Sequence, residues 1–128
     1  MEPLFIEGQL KFPKFDFNSK TGVLKIIGRS IPENPVKLYD PIISWVHNYV
    51  ESEPENITLS VYLEYLNTHS TECFLILLKR IVDYSNISTK KAKIVWYFDE
   101  YDEDMLALGK DFSSLVDFPF EYKELADV

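Results

Sequence analysis

Between residues 57 and 98 the apolar pattern changes period twice, with little chain left over for connections. ITLSVYLEYL (57–66) is rich in β-formers and reads as a central strand. Phe74, Leu77, Leu78 and Ile81 then recur at helical spacing, and Cys73, Ile76 and Val82 widen the stripe, which predicts a well-buried helix over about 69–84. KIVWYF (93–98) is nearly continuous apolar strand, suited to the inside of a sheet covered on at least one face. Strand, helix and strand in that order predict neighbouring parallel strands joined by a right-handed crossover.

The flanking segments extend the alternation. In LFIEGQLKFPKFDFNSKTGVLKIIGRS two or three short strands are legible, and KFDF and VLKIIG flank the polar turn NSKTG as a hairpin. SIPENPVKLYDP reads as a proline-punctuated loop, in which Gly28 ends the preceding strand. Asp40 offers a side-chain cap and Pro41 suits a first helical turn, so Ile42, Trp45, Val46, Tyr49 and Val50 predict a helix over about 41–52. SEPEN ends that helix, and SNISTKKAK is a loop. DEYDED (99–104) opens an acidic helix whose first turn suits the positive dipole end, with Gly109 at its C-terminus. FPFEYK forms a last short strand. The whole predicts an α/β fold: one domain with a mixed sheet, an N-terminal hairpin and about three helices on one or both faces.

A chain of 128 residues that is 46% hydrophobic and 15% aromatic can bury a proper core. Its net charge of −8 argues against nucleic acid and anionic membrane surfaces as partners, and permits a basic protein partner. One cysteine, Cys73, builds neither an intrachain disulfide nor a cysteine-based zinc site. No signal peptide and no run of about 20 apolar residues is present, so a reducing, cytoplasmic setting is expected. The four glycines lie far apart, which excludes a phosphate-cradling loop, and no G-x-S-x-G elbow appears. No cofactor is expected.

Chemistry concentrates at YLNTHS (65–70), where the central strand gives way to a helix, a place where α/β sheets gather functional residues. Asn67 or Thr68 there could serve only as a helix cap. Alternatively Thr68 is a phosphoacceptor, whose dianion the free amides and positive end of a helix would tolerate. His47 and His69 share no metal-ligand spacing, and Cys73 reads as a small core residue. DEYDED lacks the layout of a calcium loop and reads as a solvated helix start. GRSIPENP (28–35) is a stiff connector that brings Ser30, Glu33 and Asn34 toward the sheet end, facing YLNTHS.

Taken together, GRSIPEN (28–34), DPIISWVHNYV (40–50), YLNTHS (65–70), VWYFDEYDEDM (95–105) and GKDF (109–112) resemble the SiaC family of regulatory phosphoproteins in order and spacing across nearly the whole chain. The resemblance implies a STAS-like fold and no enzymatic activity. It implies a threonine phosphorylated by a partner kinase of the histidine-kinase-like ATPase type and dephosphorylated by a PP2C-type phosphatase. It implies, too, that the unphosphorylated form binds and activates an output protein such as a diguanylate cyclase. Carried onto this chain, the acceptor is Thr68. Asn67 and Ser70 shape its loop; Ser30, Pro32, Glu33 and Asn34 form part of the same recognition face, beside His69. Where the family more often has a serine and a lysine, this chain has His69 and Glu72. VKLYD replaces a stretch that tends to hold two aromatics. Two other readings stand beside this one: a small enzyme using Glu33, His69 and Asp99 or Asp102, and a structural interaction domain in which Thr68 only caps.

Overall fold

The computed structural model describes residues 1–87 and 90–126. Nine elements follow one another: β1 (Leu4–Ile6), β2 (Lys14–Asn18), β3 (Val23–Ser30), α1 (Pro35–Glu51), β4 (Asn56–Leu66), α2 (Thr68–Ser85), β5 (Lys91–Asp99), α3 (Glu103–Val116) and β6 (Glu121–Leu125). The six strands form one mixed sheet in strict chain order. β1, β2 and β3 pair antiparallel, and β3 through β6 pair parallel. The α/β expectation holds, with the hairpin, the mixed sheet and three helices as read. The loop expected at SNISTKKAK includes residues 88 and 89, which lie outside the described residues.

Strand order that never doubles back has a direct consequence. Each crossover from β3 onward turns with the same hand, so α1, α2 and α3 all fall on one face of the sheet. The strands accordingly alternate: Phe15, Phe17, Leu24, Ile26, Ile57, Leu59, Val61, Leu63, Ile94 and Trp96 point to the helices and are buried. Their helical partners are Tyr39, Ile42, Val46 and Tyr49 from α1, Phe74, Leu77, Leu78 and Ile81 from α2, and Phe112 from α3. Aromatic rings join the layers: Phe74 meets Tyr39, Trp96 and Phe112, with centroids 5.5–6.4 Å apart.

Three boundaries differ from expectation. α1 opens at Pro35, not Pro41. Asn34 is its cap, its side-chain oxygen accepting from the Lys37 amide at 3.2 Å, and Pro41 lies inside the helix. Asn34–Pro35 and Asp40–Pro41 are equivalent local signals. The longer helix prevails because it also buries Leu38 and Tyr39 on the stripe that continues through Ile42, Val46 and Tyr49. Pro41 is exposed and deprives only the Lys37 carbonyl of its usual amide. β3 likewise passes Gly28 and reaches Ser30 through a register irregularity between Gly28 and Arg29. Gly28 has a φ of +131°, and any Cβ there would stand 3.2 Å from the Pro13 Cα. Finally, Gly109 sits mid-helix rather than at the end of α3. A Cβ there would stand 2.6 Å from the Trp96 indole, so the missing side chain is what lets α3 lie against β5. The helix ends instead at Asp117, whose φ of 52° is left-handed.

Candidate functional site

Parallel β3 and β4 release their chains at the same edge of the sheet, so the segment after Ser30 and the one after Leu66 leave side by side. Asn67 fastens them. Its backbone amide donates to the Ser30 carbonyl at 2.9 Å. Its side-chain amide donates to the Pro32 carbonyl at 3.4 Å, while its side-chain oxygen accepts from the Ser70 amide at 3.0 Å and caps α2. The Thr71 hydroxyl donates to the Asn67 carbonyl at 3.3 Å. Asn67 is thus the cap, and Thr68 is the first residue of the helix.

Thr68 and His69 are exposed. Among the described residues nothing hydrogen-bonds the Thr68 hydroxyl. It stands where the first helical amides lack partners within the helix and where the macrodipole is positive. Glu72 follows one turn on, and Tyr65, three residues before Thr68 at the end of β4, is half-exposed. Glu33 and Asn34 are exposed on the neighbouring loop. The Glu33 carboxylate accepts from Lys11 Nζ at 2.7 Å, and this ion pair holds it below the usual carboxylate range.

Beneath this surface runs a buried row of hydroxyls. Ser30 Oγ lies 2.7 Å from the Tyr39 hydroxyl and donates to Ser70 Oγ at 3.4 Å, so the Tyr39 hydroxyl is the donor to Ser30. All three side chains are sealed from solvent. Burial pushes the Tyr39 pKa up to about 12, against the lowering effect of the Ser30 hydrogen bond. The row ties β3, α1 and α2 together through neutral groups.

The seven residues expected around Thr68 therefore divide. Glu33, Asn34 and His69 reach the surface. Ser30, Pro32 and Ser70 are buried and lie beneath the exposed loop rather than on it. Asn67 is partly buried and links the two segments. Tyr39 is a further residue of this region that the sequence hides, because a helix start at Pro41 leaves it in a loop. Its signal was present three residues before Ile42, on the same helical stripe.

The residues of the enzyme reading do not assemble. The Glu33 carboxylate is paired with Lys11, the Asp99 carboxylate accepts from the Tyr62 hydroxyl, and Asp102 caps α3 through the Met105 amide at 3.1 Å. Cys73 lies against the core; burial, with Asp40 and Glu72 nearby, pushes its thiol pKa up and away from the reactive thiolate. Among the described residues no three His, Cys, Asp or Glu side chains converge as metal ligands, and no helix is long and apolar enough to cross a membrane.

This architecture has solved counterparts. Apo-SiaC from Pseudomonas aeruginosa superposes with a TM-score of 0.87 at 25% identity, covering 96% of this chain and 99% of that one. A crystal structure of the diguanylate cyclase SiaD in complex with its activator SiaC, also from Pseudomonas aeruginosa, matches with a TM-score of 0.85 at 25% identity, over 97% of this chain and 99% of that one. In sequence, an uncharacterised protein of Pseudomonas aeruginosa strain UCBPP-PA14 is 27% identical over 120 residues, 94% of each chain. The model of the SiaC family regulatory phosphoproteins matches residues 6–125. With nearly its whole length so matched, and with the resemblance read from its motifs borne out, the chain belongs to the SiaC family of regulatory phosphoproteins.

Proposed function

We propose that this protein is a non-enzymatic cytoplasmic switch whose state is set by reversible phosphorylation of Thr68. A serine/threonine kinase of the histidine-kinase-like ATPase type adds the phosphate, and a PP2C-type phosphatase removes it. The unphosphorylated form binds and activates a diguanylate cyclase, as SiaC does with SiaD. One observation carries the reading: in a family of regulatory phosphoproteins, this chain presents an exposed threonine hydroxyl at the first position of a helix.

The physics supports a switch at that point. A phosphate there adds about −1.5 to −2 charges and meets free amides, so the fold tolerates it. Glu72 lies one turn on, and Glu33 is on the neighbouring loop, so a docked partner would face a strongly acidic spot. Where that partner buries the spot, an added dianion must be desolvated. A loss of about 2 kcal/mol corresponds to roughly thirtyfold weaker binding.

The test is phosphorylation by a candidate kinase with ATP, read by mass spectrometry. One phosphate on Thr68 is expected, with none on the Thr68→Ala variant, whose circular dichroism stays native. Thr68→Ala should also keep binding the cyclase when the kinase is present, by calorimetry, whereas Thr68→Glu weakens it. Full phosphorylation of Thr68→Ala would remove the acceptor assignment.

A further inference from the structure

Among the described residues no helix covers the other face of the sheet, and its residues form two rows across the strands. One row runs Lys14, Ile27, Tyr62, Tyr97, Lys123, each directly beside the next in register. The next row, two residues along each strand, runs Phe5, Asp16, Lys25, Ser60, Val95, Glu121. Parallel strands are normally covered on both faces. Here β3 to β6 are covered on one, although Ile27 is 36% exposed on the other, as is Phe5 of the neighbouring β1, at 58%. Val95 is only 4% exposed, screened by its neighbours' side chains rather than by a helix. Lys25, Ile27, Ser60, Tyr62, Tyr97 and Leu125 line a shallow cavity of about 250 Å³ over the small Ser60.

We infer that this bare face is the interface of a homodimer, with a second copy of the chain as its occupant. The argument is self-complementarity. Place a two-fold axis in the plane of contact, between the two rows and parallel to them. Each row then lies on the other row of the second copy, in the same left-to-right order. Lys14 falls opposite Asp16 and Lys123 opposite Glu121, so both rims pair opposite charges, twice each by symmetry. Tyr62 falls over Ser60, entering the cavity, and Tyr97 falls over Val95. The middle is aromatic and aliphatic while the edges are charged, which is the anatomy of a protein interface.

Charge and size agree with this occupant. The chain as a whole carries −8, yet the two rows hold three lysines against two carboxylates, so the bare face is an exception on an acidic molecule. Five strands at about 4.8 Å spacing, with about 3.3 Å per residue along them, outline a panel roughly 20 Å on a side. With side-chain relief that approaches the about 800 Å² per partner of a standard interface. Aligned sheets cross at about 30°, an angle the long lysines at the rims can span. Thr68, on the helical side, stays free in both copies.

Sedimentation velocity over a concentration series tests this on the full chain. Twice the monomer mass is expected at the upper concentrations. Tyr97→Glu, with a native circular dichroism spectrum, should remain monomeric throughout. Lys14→Glu sets like charges opposite each other twice at the β2 rim and should weaken the dimer roughly tenfold; adding Asp16→Lys should restore it. A chain that stays monomeric to millimolar concentration overturns the proposal. So does a dimer that survives Tyr97→Glu, or one that the Lys14 and Asp16 exchanges leave unchanged, since either places the contact elsewhere.

Discussion

Single side chains set two measurable properties of the region under Thr68. Tyr39 is buried and its pKa lies at about 12. Below a pH of about 10 the phenol is neutral in folded and unfolded chains alike, and its contribution is fully present. As pH rises from about 10 to about 12, the unfolded phenol ionises while the folded one stays neutral, so stability falls by up to about 1.4 kcal/mol per pH unit. Tyr49 and Tyr84 are raised by burial as well and lean the same way. Urea unfolding across that window should show a shallower loss for Tyr39→Phe than for the wild type. At neutral pH the same variant should cost about 1 kcal/mol, because Ser30 loses its donor. Gly109 gives a second test at this scale. Gly109→Ala would improve helix propensity, but its methyl would meet the Trp96 indole at 2.6 Å. Overpacking should win, lowering stability by about 1–3 kcal/mol in the same assay.

At the scale of elements, caps and prolines decide how the helices join the sheet. Asn67→Ala removes the cap of α2 and the bond to the Pro32 carbonyl together. A loss of about 1–2 kcal/mol is expected, larger than for Asn34→Ala, which removes only the cap of α1. Pro41→Ala runs the other way. It restores an amide for the Lys37 carbonyl in an exposed helix interior, and a gain of about 1–2 kcal/mol in chemical denaturation is expected after the extra unfolded-state freedom is counted. Periodicity makes β4, α2 and β5 legible nearly to the residue: it predicts α2 over about 69–84, and the helix runs Thr68–Ser85. It failed where two signals of one kind compete. Nothing local separates Asn34–Pro35 from Asp40–Pro41; only the core that receives Tyr39 does. The buried places of Ser30 and Pro32 were hidden for the same reason, since exposure at a strand end depends on neighbours distant in sequence. Gly109 reads locally as a helix end, and only the indole of Trp96 explains it.

On the scale of the molecule, charge and topology matter most. The chain carries −8, and one phosphate takes it to between about −9.5 and −10. Native electrophoresis or anion exchange should therefore resolve the two forms as distinct species under the proposed switch, and Thr68→Ala should run as one. Strand order without reversal also gathers the exits of β3 and β4 at one rim, where Asn67 spans them. That single amide serves as a fastener for two stretches of chain far apart in sequence. Whatever twists it loose frees the start of a helix and the neighbouring hairpin's outgoing strand in one motion, so neither stretch can drift in sequence without the other feeling the change.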